Sequence, residues 1–410
     1  MGDIFLSRVQ EQNSLKREKM YSITSENSEY MRLLTQKMVS IPSPSGKEKE
    51  ISDFIASELE KIGISNHLQT VEGNRSNVIA RIDGKSKKSI LFQGHVDTIP
   101  ACGWRDAFRG KEKEGMIWGR GSVDMKSSIA CAITAMKSIV ESDLTPKKSV
   151  VFACTVDEEK EKKGIFKLVE EGVDAQMAVC CEPTNLKIGI GHKGSVPVRV
   201  STKGKATHGS APDAGVNAIY TMKPVLEFFE KNWKINVQRL EGIGDVYGTY
   251  NVGMIKGGEN FLVVPDWCDI WVDRRTIPGE TKHDVRREIE SFLNSIRDRD
   301  PELQYEVFVN ERPDWKWPKI IERGYKAVVI SSEEEIVRLA SSAYKKVMGS
   351  DPEIAFLMFW TEADFLVNEL GIPTIIFGPG EPKRAHSITE CISIDQLEMA
   401  AKIYLDMMLG

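Results

Sequence analysis

The sequence predicts an α/β fold: a mixed, mostly parallel sheet flanked by helices, with a smaller α+β domain inserted into it. Apolar strand candidates alternate with helical stretches over the first half of the chain, the arrangement that places parallel strands under covering helices. After Gly194 the texture changes, and near Ser331 the earlier one returns. Length adds a third observation: 410 residues exceed the roughly 250 to 300 that a single hydrophobic core serves, so two domains are expected. The expected bounds are 1–193 and 310–410 for the larger domain and 194–309 for the insertion.

The elements follow in order. Leu33, Leu34 and Met38 stand at helical spacing, and PSPSGKEKEISDFIASELEKIG reads as a turn and then an amphipathic helix carrying Ile51, Phe54, Ile55 and Leu59. Strand candidates NVIARID, SILFQG, SVVFACTV and AQMAVCCE come next. A helix from about Asp124 to Val140 separates the second from the third, and GIFKLVEEG lies between the third and fourth. Past Gly194 come the strand VPVRVSTKGK, a helix near Asn217 to Asn232, strands near Tyr250 to Lys256 and at DWCDIWVDRR, a helix over His283 to Ile296, and a further strand, a small layered domain with an antiparallel sheet. A helix beyond Ser331, the strand IPTIIFG and the closing helix DQLEMAAKIYLDMMLG restore the first pattern.

Composition removes several function classes. A net charge of -5, with Lys and Arg interleaved among Asp and Glu, offers no basic field for a nucleic acid. Seven cysteines with no CxxC spacing suit reduced, buried residues of a cytoplasmic protein. Charges interrupt the apolar residues of MGDIFLSRVQEQNSLKREKMYS, and no apolar run nears the roughly 18 residues of a membrane span, so neither export nor a membrane partner is expected. MGDIFLS fits an acylation signal only if one position slips, and is discounted.

Polar residues gather just past the strand ends: His95 and Asp97 after SILFQG, Asp124 after GMIWGRGSV, Asp157, Glu158 and Glu159 after VVFACTV, and Glu182 after AQMAVCC. Singly, each has a bland reading: a hydrogen-bonded structural histidine, an N-cap at Asp124, a solvated charge run at DEEKEKK. Together, apolar strands deliver acidic groups to one edge, where repulsion is costly unless cations neutralise it. Histidine and carboxylates without thiolate suit a hydrolytic zinc, cobalt or manganese centre better than a structural zinc site. In an extended segment, residues two apart project the same way, so Asp97 can orient His95 through the ring nitrogen turned away from a metal. GRGSVDM lacks the third glycine of a dinucleotide loop, and the chain has no G-x-S-x-G elbow.

GHVDTIP, GRGSVDMK, TVDEE, CEPT, KGKATHGSAP, GGENFLVVPD, DRR and AHSITE, in that order, resemble the dinuclear metallohydrolases that include acetylornithine deacetylase, succinyl-diaminopimelate desuccinylase, aminoacylase and glutamate carboxypeptidase. The resemblance runs from about residue 30 onward. It implies two divalent ions, zinc first with cobalt or manganese as alternatives, with His95 and Glu182 on one, Glu159 and His386 on the other, Asp124 bridging, and Glu158 as general base. Three carboxylates against two divalent ions leave about one positive charge, which lowers the pKa of a bridging water toward ~7. His208 would stabilise the oxyanion, often from a partner subunit; Asn260 and Arg275 would hold the oxyanion or a substrate carboxylate, and an arginine fork suits a carboxylate. In FGPGEP, Gly378 and Gly380 read either as a loop or as bare backbone approached by a ligand.

The larger domain then becomes the catalytic one and the insertion a lid or dimerisation domain, with a homodimer implied by analogy. The expected reaction is cleavage of the amide bond of an N-acyl amino acid by a metal-bound hydroxide, with Glu158 as base and acid. Dipeptidase or carboxypeptidase action on short peptides is the alternative, and a non-catalytic metal-dependent binding protein, which would not need Glu158, is a third. Glu182, rather than aspartate, resembles the deacylase and carboxypeptidase branches. One departure stands out: relatives carry Gly-Thr-x-Asp-Ala-Arg near WTEADFLV, and Phe365 falls near the place of their arginine.

Overall fold

The computed structural model describes residues 23–310 and 323–410. The readings made on the N-terminal leader therefore lie outside the described residues. Two compact units divide the chain. One holds the described residues up to Ile190 together with Ile330–Ala355 and Thr361–Gly410; the other holds Gly191–Val329 and Phe356–Trp360.

The second unit begins ahead of the expected residue 194, runs past 309, and takes back a short later stretch. Val328 and Val329 pair antiparallel with His192 and Gly191, and the Lys193 N–H donates to the Leu357 carbonyl at 3.0 Å. These segments close on the start of the second unit, so sequence texture alone placed the unit's start too late and its end too early.

In chain order the first unit contains α1 (Ser25–Ser40), α2 (Lys49–Lys61), β1 (Asn66–Glu72), β2 (Arg75–Ile82), β3 (Ser89–His95), β4 (Lys111–Lys113), β5 (Met116–Trp118), α3 (Lys126–Glu141), β6 (Ser149–Thr155), α4 (Lys163–Glu171), β7 (Met177–Cys180) and the start of β8 (Ile188–His192), whose Gly191 and His192 belong to the second unit. The insertion supplies β9 (Val196–Lys203), β10 (Thr207–His208), α5 (Ala218–Lys231), β11 (Lys234–Leu240), β12 (Gly244–Gly257), β13 (Val263–Val264), β14 (Trp267–Arg275), α6 (Lys282–Arg297), β15 (Gln304–Val309) and β16 (Val328–Val329). The chain then continues through α7 (Glu335–Met348), β17 (Ile354–Leu357), α8 (Ala363–Asn368), β18 (Thr374–Ile376), β19 (Cys391–Ser393) and α9 (Ile394–Leu409).

The main sheet of the first unit runs β1-β2-β6-β3-β7-β18-β8. Its centre is parallel, with β6 beside β3, β3 beside β7 and β7 beside β18; the flanking pairs β1/β2, β2/β6 and β18/β8 are antiparallel. Every residue of β3 and of β6 is buried, as strands covered on both faces require. His95 aligns with Thr155 and Gln93 with Cys180, so β3, β6 and β7 end level and the residues that follow them emerge along one edge.

Helix α3 is buried along nearly its whole length and packs on α1 and α9. At its first turn the fully buried Lys126 donates to the carbonyls of Met38 and Ile41 at 3.0 and 2.7 Å, setting its amine against the C-terminal end of α1.

The second unit is an antiparallel sheet of order β11-β12-β14-β9-β15. Alternate residues Val196, Val198 and Val200 of β9 and Cys268, Ile270 and Val272 of β14 join Met222, Val225 and Phe229 of α5 and Val285, Ile289 and Leu293 of α6 in one core. Phe228 of α5 stacks on Phe292 of α6, with ring centroids 3.6 Å apart. Asn217 caps α5, and a Thr281–Asp284 capping box opens α6.

Candidate metal centre

All the residues expected to hold a metal belong to the first unit and stand past the ends of its strands. His95 closes β3, Glu158 and Glu159 follow β6, Glu182 follows β7, Asp124 lies just before α3, and His386 lies in the loop before β19. Three overlapping groups each place one donor atom per residue within 4.8 Å of the others: His95, Asp124 and Glu182; Asp124, Glu159 and His386; His95, Glu158 and Glu159. Asp124 belongs to the first two, so its carboxylate lies between the two histidines. His95 Nε2 is 2.9 Å from Asp124 Oδ1 and 3.7 Å from Glu182 Oε1. His386 Nε2 is 2.9 Å from Glu159 Oε1 and 3.2 Å from Asp124 Oδ2.

Asp97 is fully buried, and its geometry refines the expectation drawn for it. The Nδ1 of His95 lies 3.0 Å from the Asp97 backbone carbonyl and 3.5 Å from its carboxylate. The carboxylate instead accepts the N–H groups of Glu158 and Glu159, at 2.9 and 3.0 Å, and the Ser45 hydroxyl at 2.7 Å. One residue therefore orients His95 and also fixes the loop that carries Glu158 and Glu159.

The electrostatics are those of crowded carboxylates. Burial, reinforced by Asp124, pushes Glu182 well above the usual carboxyl range and raises Glu159 to about 7. Burial opposes ionisation of Asp124 too, but bonds from His386 and His95 hold it below its ordinary value. Bonds to Asp124 and Glu159 raise His386 to about 10. In His95, burial works against the proton, and bonds to Asp124 and Asp97 outweigh it. Protons and cations are alternative ways of relieving this repulsion. The donor set of imidazoles and carboxylates, with no thiolate in any of the three groups, fits divalent ions.

Several contacts around the centre were not expected from the sequence. DEEKEKK is not a solvated run: Asp157, Glu158 and Lys162 are buried, and Lys162 Nζ donates to Glu158 Oε1 at 2.7 Å. Arg75 ties this loop to α2, donating to Glu48 at 2.6 and 2.8 Å and to Asp157 at 2.6 Å. Glu362 is buried in WTEADFLV, accepting from Thr155 Oγ1 at 2.6 Å and Gln93 Nε2 at 2.5 Å; burial and the nearby Glu158 push it up to about 8. Phe365 of the same string is a core residue, edge-to-face on Phe166 with centroids 4.9 Å apart.

Gly378 and Gly380 both lie against the chain's own atoms. A Cβ on Gly378 would stand 2.7 Å from the Glu182 carbonyl, and Gly380 adopts φ +101° beside Val123 and Ile392. They support the segment that bears Glu182.

The second unit carries the remaining expected residues. His208 is exposed on β10, which pairs with β13, and its Nδ1 accepts the Ser210 N–H at 3.2 Å. Asn260 lies in the loop leading to β13 and accepts the Leu262 N–H at 2.9 Å. Arg275, at the end of β14, donates to Asp273 at 2.9 Å. His67 and His283 are exposed; His192 is buried, its Nδ1 2.9 Å from the Lys193 carbonyl. All seven cysteines are free, with Cys102 alone exposed. No helix among the described residues is long and apolar enough to cross a membrane.

Residues 91–410 match the description of peptidase family M20/M25/M40. The chain belongs to that family. M20 members are metal-dependent hydrolases of amide bonds, in acyl amino acids and in peptides. The chain is 28% identical to N-formyl-4-amino-5-aminomethyl-2-methylpyrimidine deformylase of Bacillus subtilis (strain 168), over 96% of this chain and 98% of the relative. It is 30% identical to acetylornithine deacetylase of Myxococcus xanthus, over 84% of this chain and 87% of the relative. Among solved structures it resembles Bacillus subtilis YxeP, described as a dinuclear metal-binding peptidase of the M20 family, with a TM-score of 0.69 at 15% identity over 94% of this chain and 98% of the other. This M20 chain therefore has the expected fold class and the expected class of reaction.

Proposed function

We propose that this chain hydrolyses the amide bond of a small N-acyl amino acid with two divalent ions, zinc first, held by His95 and Glu182 on one side, Glu159 and His386 on the other, and Asp124 between. One observation carries the reading: Asp124, Glu159 and Glu182 converge with two histidines, a concentration of negative charge and metal-ligating atoms that divalent ions would neutralise. When bound, the ions would supply a Lewis acid for the scissile carbonyl and a water whose pKa is lowered toward ~7.

The chain's own residues account for the proton traffic. Glu158 is held by Lys162 and by the bond from its backbone N–H to Asp97, and His386 engages its neighbour Glu159 instead. It takes a proton from the attacking water and delivers it to the departing nitrogen; the remaining proton of the new carboxyl group passes to the amine or to solvent, so the acid is released as carboxylate. His208, Asn260 and Arg275 are assigned to the oxyanion and the substrate carboxylate as part of the same proposal.

The deacylase reading is favoured by the acyl-removing relatives that match most of this chain; action on short peptides is the second reading. A homodimer is proposed as well, supported by the exposed apolar side chains Tyr220, Phe261 and Leu262 of the second unit; sedimentation analysis tests it.

The deciding experiment measures amine release from N-acetyl, N-succinyl and N-formyl amino acids and from dipeptides, before and after chelation. Metal-dependent turnover is expected, fastest on an acyl amino acid. Glu158→Gln should lower kcat by about 10²- to 10⁴-fold while both ions stay bound. Full turnover in that variant would sink the mechanism.

A further inference from the structure

Asp124 and His386 are far apart in sequence, and the His386 side chain is half exposed. Its ring touches Asp124 and Glu159 and little else holds it, so packing alone does not fix the ring where a metal would need it. The surroundings supply a tie. Glu390, four positions beyond His386, is completely buried. Its Oε1 accepts the backbone N–H groups of Gly121, Val123 and Asp124, at 2.9, 3.0 and 3.2 Å. Its Oε2 accepts from Arg120 Nη1 at 2.6 Å, and its backbone carbonyl accepts the Gly119 N–H at 3.1 Å. The same Arg120 Nη1 also donates to the carbonyl of Ser387, the residue after His386, at 3.0 Å. Arg120 is 1% exposed and lies over the Trp104 ring, 5.7 Å from its centroid.

The turn before α3 is thus a concave array of amide donors, of the kind that binds anions, and the anion it holds is a side chain from the histidine-bearing loop. Charge-assisted bonds to a buried carboxylate are short and directional, so they transmit position well.

We propose that Glu390, with Arg120, is a positioning residue that locks His386 to Asp124 and so builds the second ion site, without itself touching an ion. This rests on the reading that Asp124 and His386 hold an ion. Glu390 tethers the turn through three amides ending at Asp124, and Arg120 tethers the peptide that leaves His386, so both ligands are fixed from behind. A carboxamide in place of the carboxylate has the same size but loses the charge and turns an NH2 toward one of the two donor sets. The Asp124 turn and the His386 loop then come apart, while His95 and Glu182, which Glu390 does not contact, keep their places.

The test compares full-length wild type, His386→Ala, Glu390→Gln, Glu390→Asp and Arg120→Lys. Each is reloaded with zinc or cobalt and dialysed against a buffered chelator. Metal per chain is counted by mass spectrometry, cobalt absorption is recorded, and folding is followed by circular dichroism and thermal melting. Wild type should hold two ions and His386→Ala one. Glu390→Gln should remain folded, keep the first ion at wild-type affinity and bind the second about 10- to 100-fold more weakly, with turnover recovering as zinc is raised and KM unchanged. Glu390→Asp, which keeps the charge, should bind the second ion more tightly than Glu390→Gln does. If Glu390→Gln does not fold, Arg120→Lys must show the same selective loss of the second ion. Two ions retained in His386→Ala would overturn the ligand reading beneath the proposal. One ion lost in His386→Ala but two held at wild-type affinity by a folded Glu390→Gln, or by Arg120→Lys where it stands in, would overturn the proposal alone.

Discussion

Replacing Arg75 by leucine probes how the loop bearing Glu158 and Glu159 is held. Arg75 is 9% exposed at its side chain and faces Glu48, which is fully buried, and Asp157, which is 2% exposed. It makes two bonds to Glu48, at 2.6 and 2.8 Å, one to Asp157 at 2.6 Å, and one to Glu72 at 3.1 Å. Leucine fills most of the volume but leaves two buried carboxylates without their counter-charge. Removing one partner of a buried ion pair costs about 3 to 5 kcal/mol, because the surviving charge is left uncompensated. A domain of this size loses roughly 2 to 4 °C of Tm per kcal/mol, so the melting temperature should fall on the order of 10 °C. Burial already holds Asp157 above the usual carboxyl range in spite of Arg75. Without the guanidinium its charged form is penalised further, so the deficit relative to wild type should shrink as pH falls through the carboxyl range. The assay is thermal melting of both proteins at pH 7.5 and pH 5, with metal content and turnover measured alongside. A loss below about 1 kcal/mol, or a deficit that grows on acidification, would refute the reasoning.

Ion binding should compete with protons. His386 is raised to about 10 and Glu159 to about 7 without ions, so near pH 6 both carry protons that a metal must expel; apparent affinity should rise from pH 6 to 8, with proton release seen by calorimetry in two buffers of different ionisation enthalpy. A pH-independent affinity would contradict this. Gly378→Ala would set a Cβ 2.7 Å from the Glu182 carbonyl and from Ser128 Oγ, so stability should drop by about 1 to 3 kcal/mol and metal affinity with it, both read from a melt and a metal titration. Phe365→Ala empties a fully buried site against Phe166 and should cost about 3 to 5 kcal/mol in urea, with KM unchanged; a raised KM with little loss of stability would instead make Phe365 a substrate contact.

The sequence disclosed those parts of the site that follow a strong local pattern. His95, Glu158 and Glu182 stand directly past continuous apolar strands, where strand length and direction put them on one edge. Asp124 shares its position with ordinary helix caps, and His386 follows no strand, so both needed the ordered motifs of the family. Elements with diluted patterns were missed: β1 buries only Gln69, and β11 is largely exposed. The supporting shell was illegible for another reason. Arg75 with Asp157, Arg120 with Glu390 and Gln93 with Glu362 pair residues 82, 270 and 269 positions apart, and nothing in their local sequence marks the partner. Lys162 lies four residues from Glu158, yet its burial depends on how the loop folds back, which its charged neighbours conceal.

Every group assigned to the ions lies in the first unit, and the insertion contributes none of them. The reactive centre and the 191–329 segment are therefore free to diverge at different rates. Substitutions that reshape the insertion leave the charge balance of the centre unchanged, whereas one lost carboxylate in the first unit alters that balance at once. Exchanging the insertion would keep the groups assigned to the ions and replace His208, Asn260 and Arg275, the residues proposed for the oxyanion and the substrate carboxylate, so a chimera carrying a relative's insertion tests whether that unit sets the substrate.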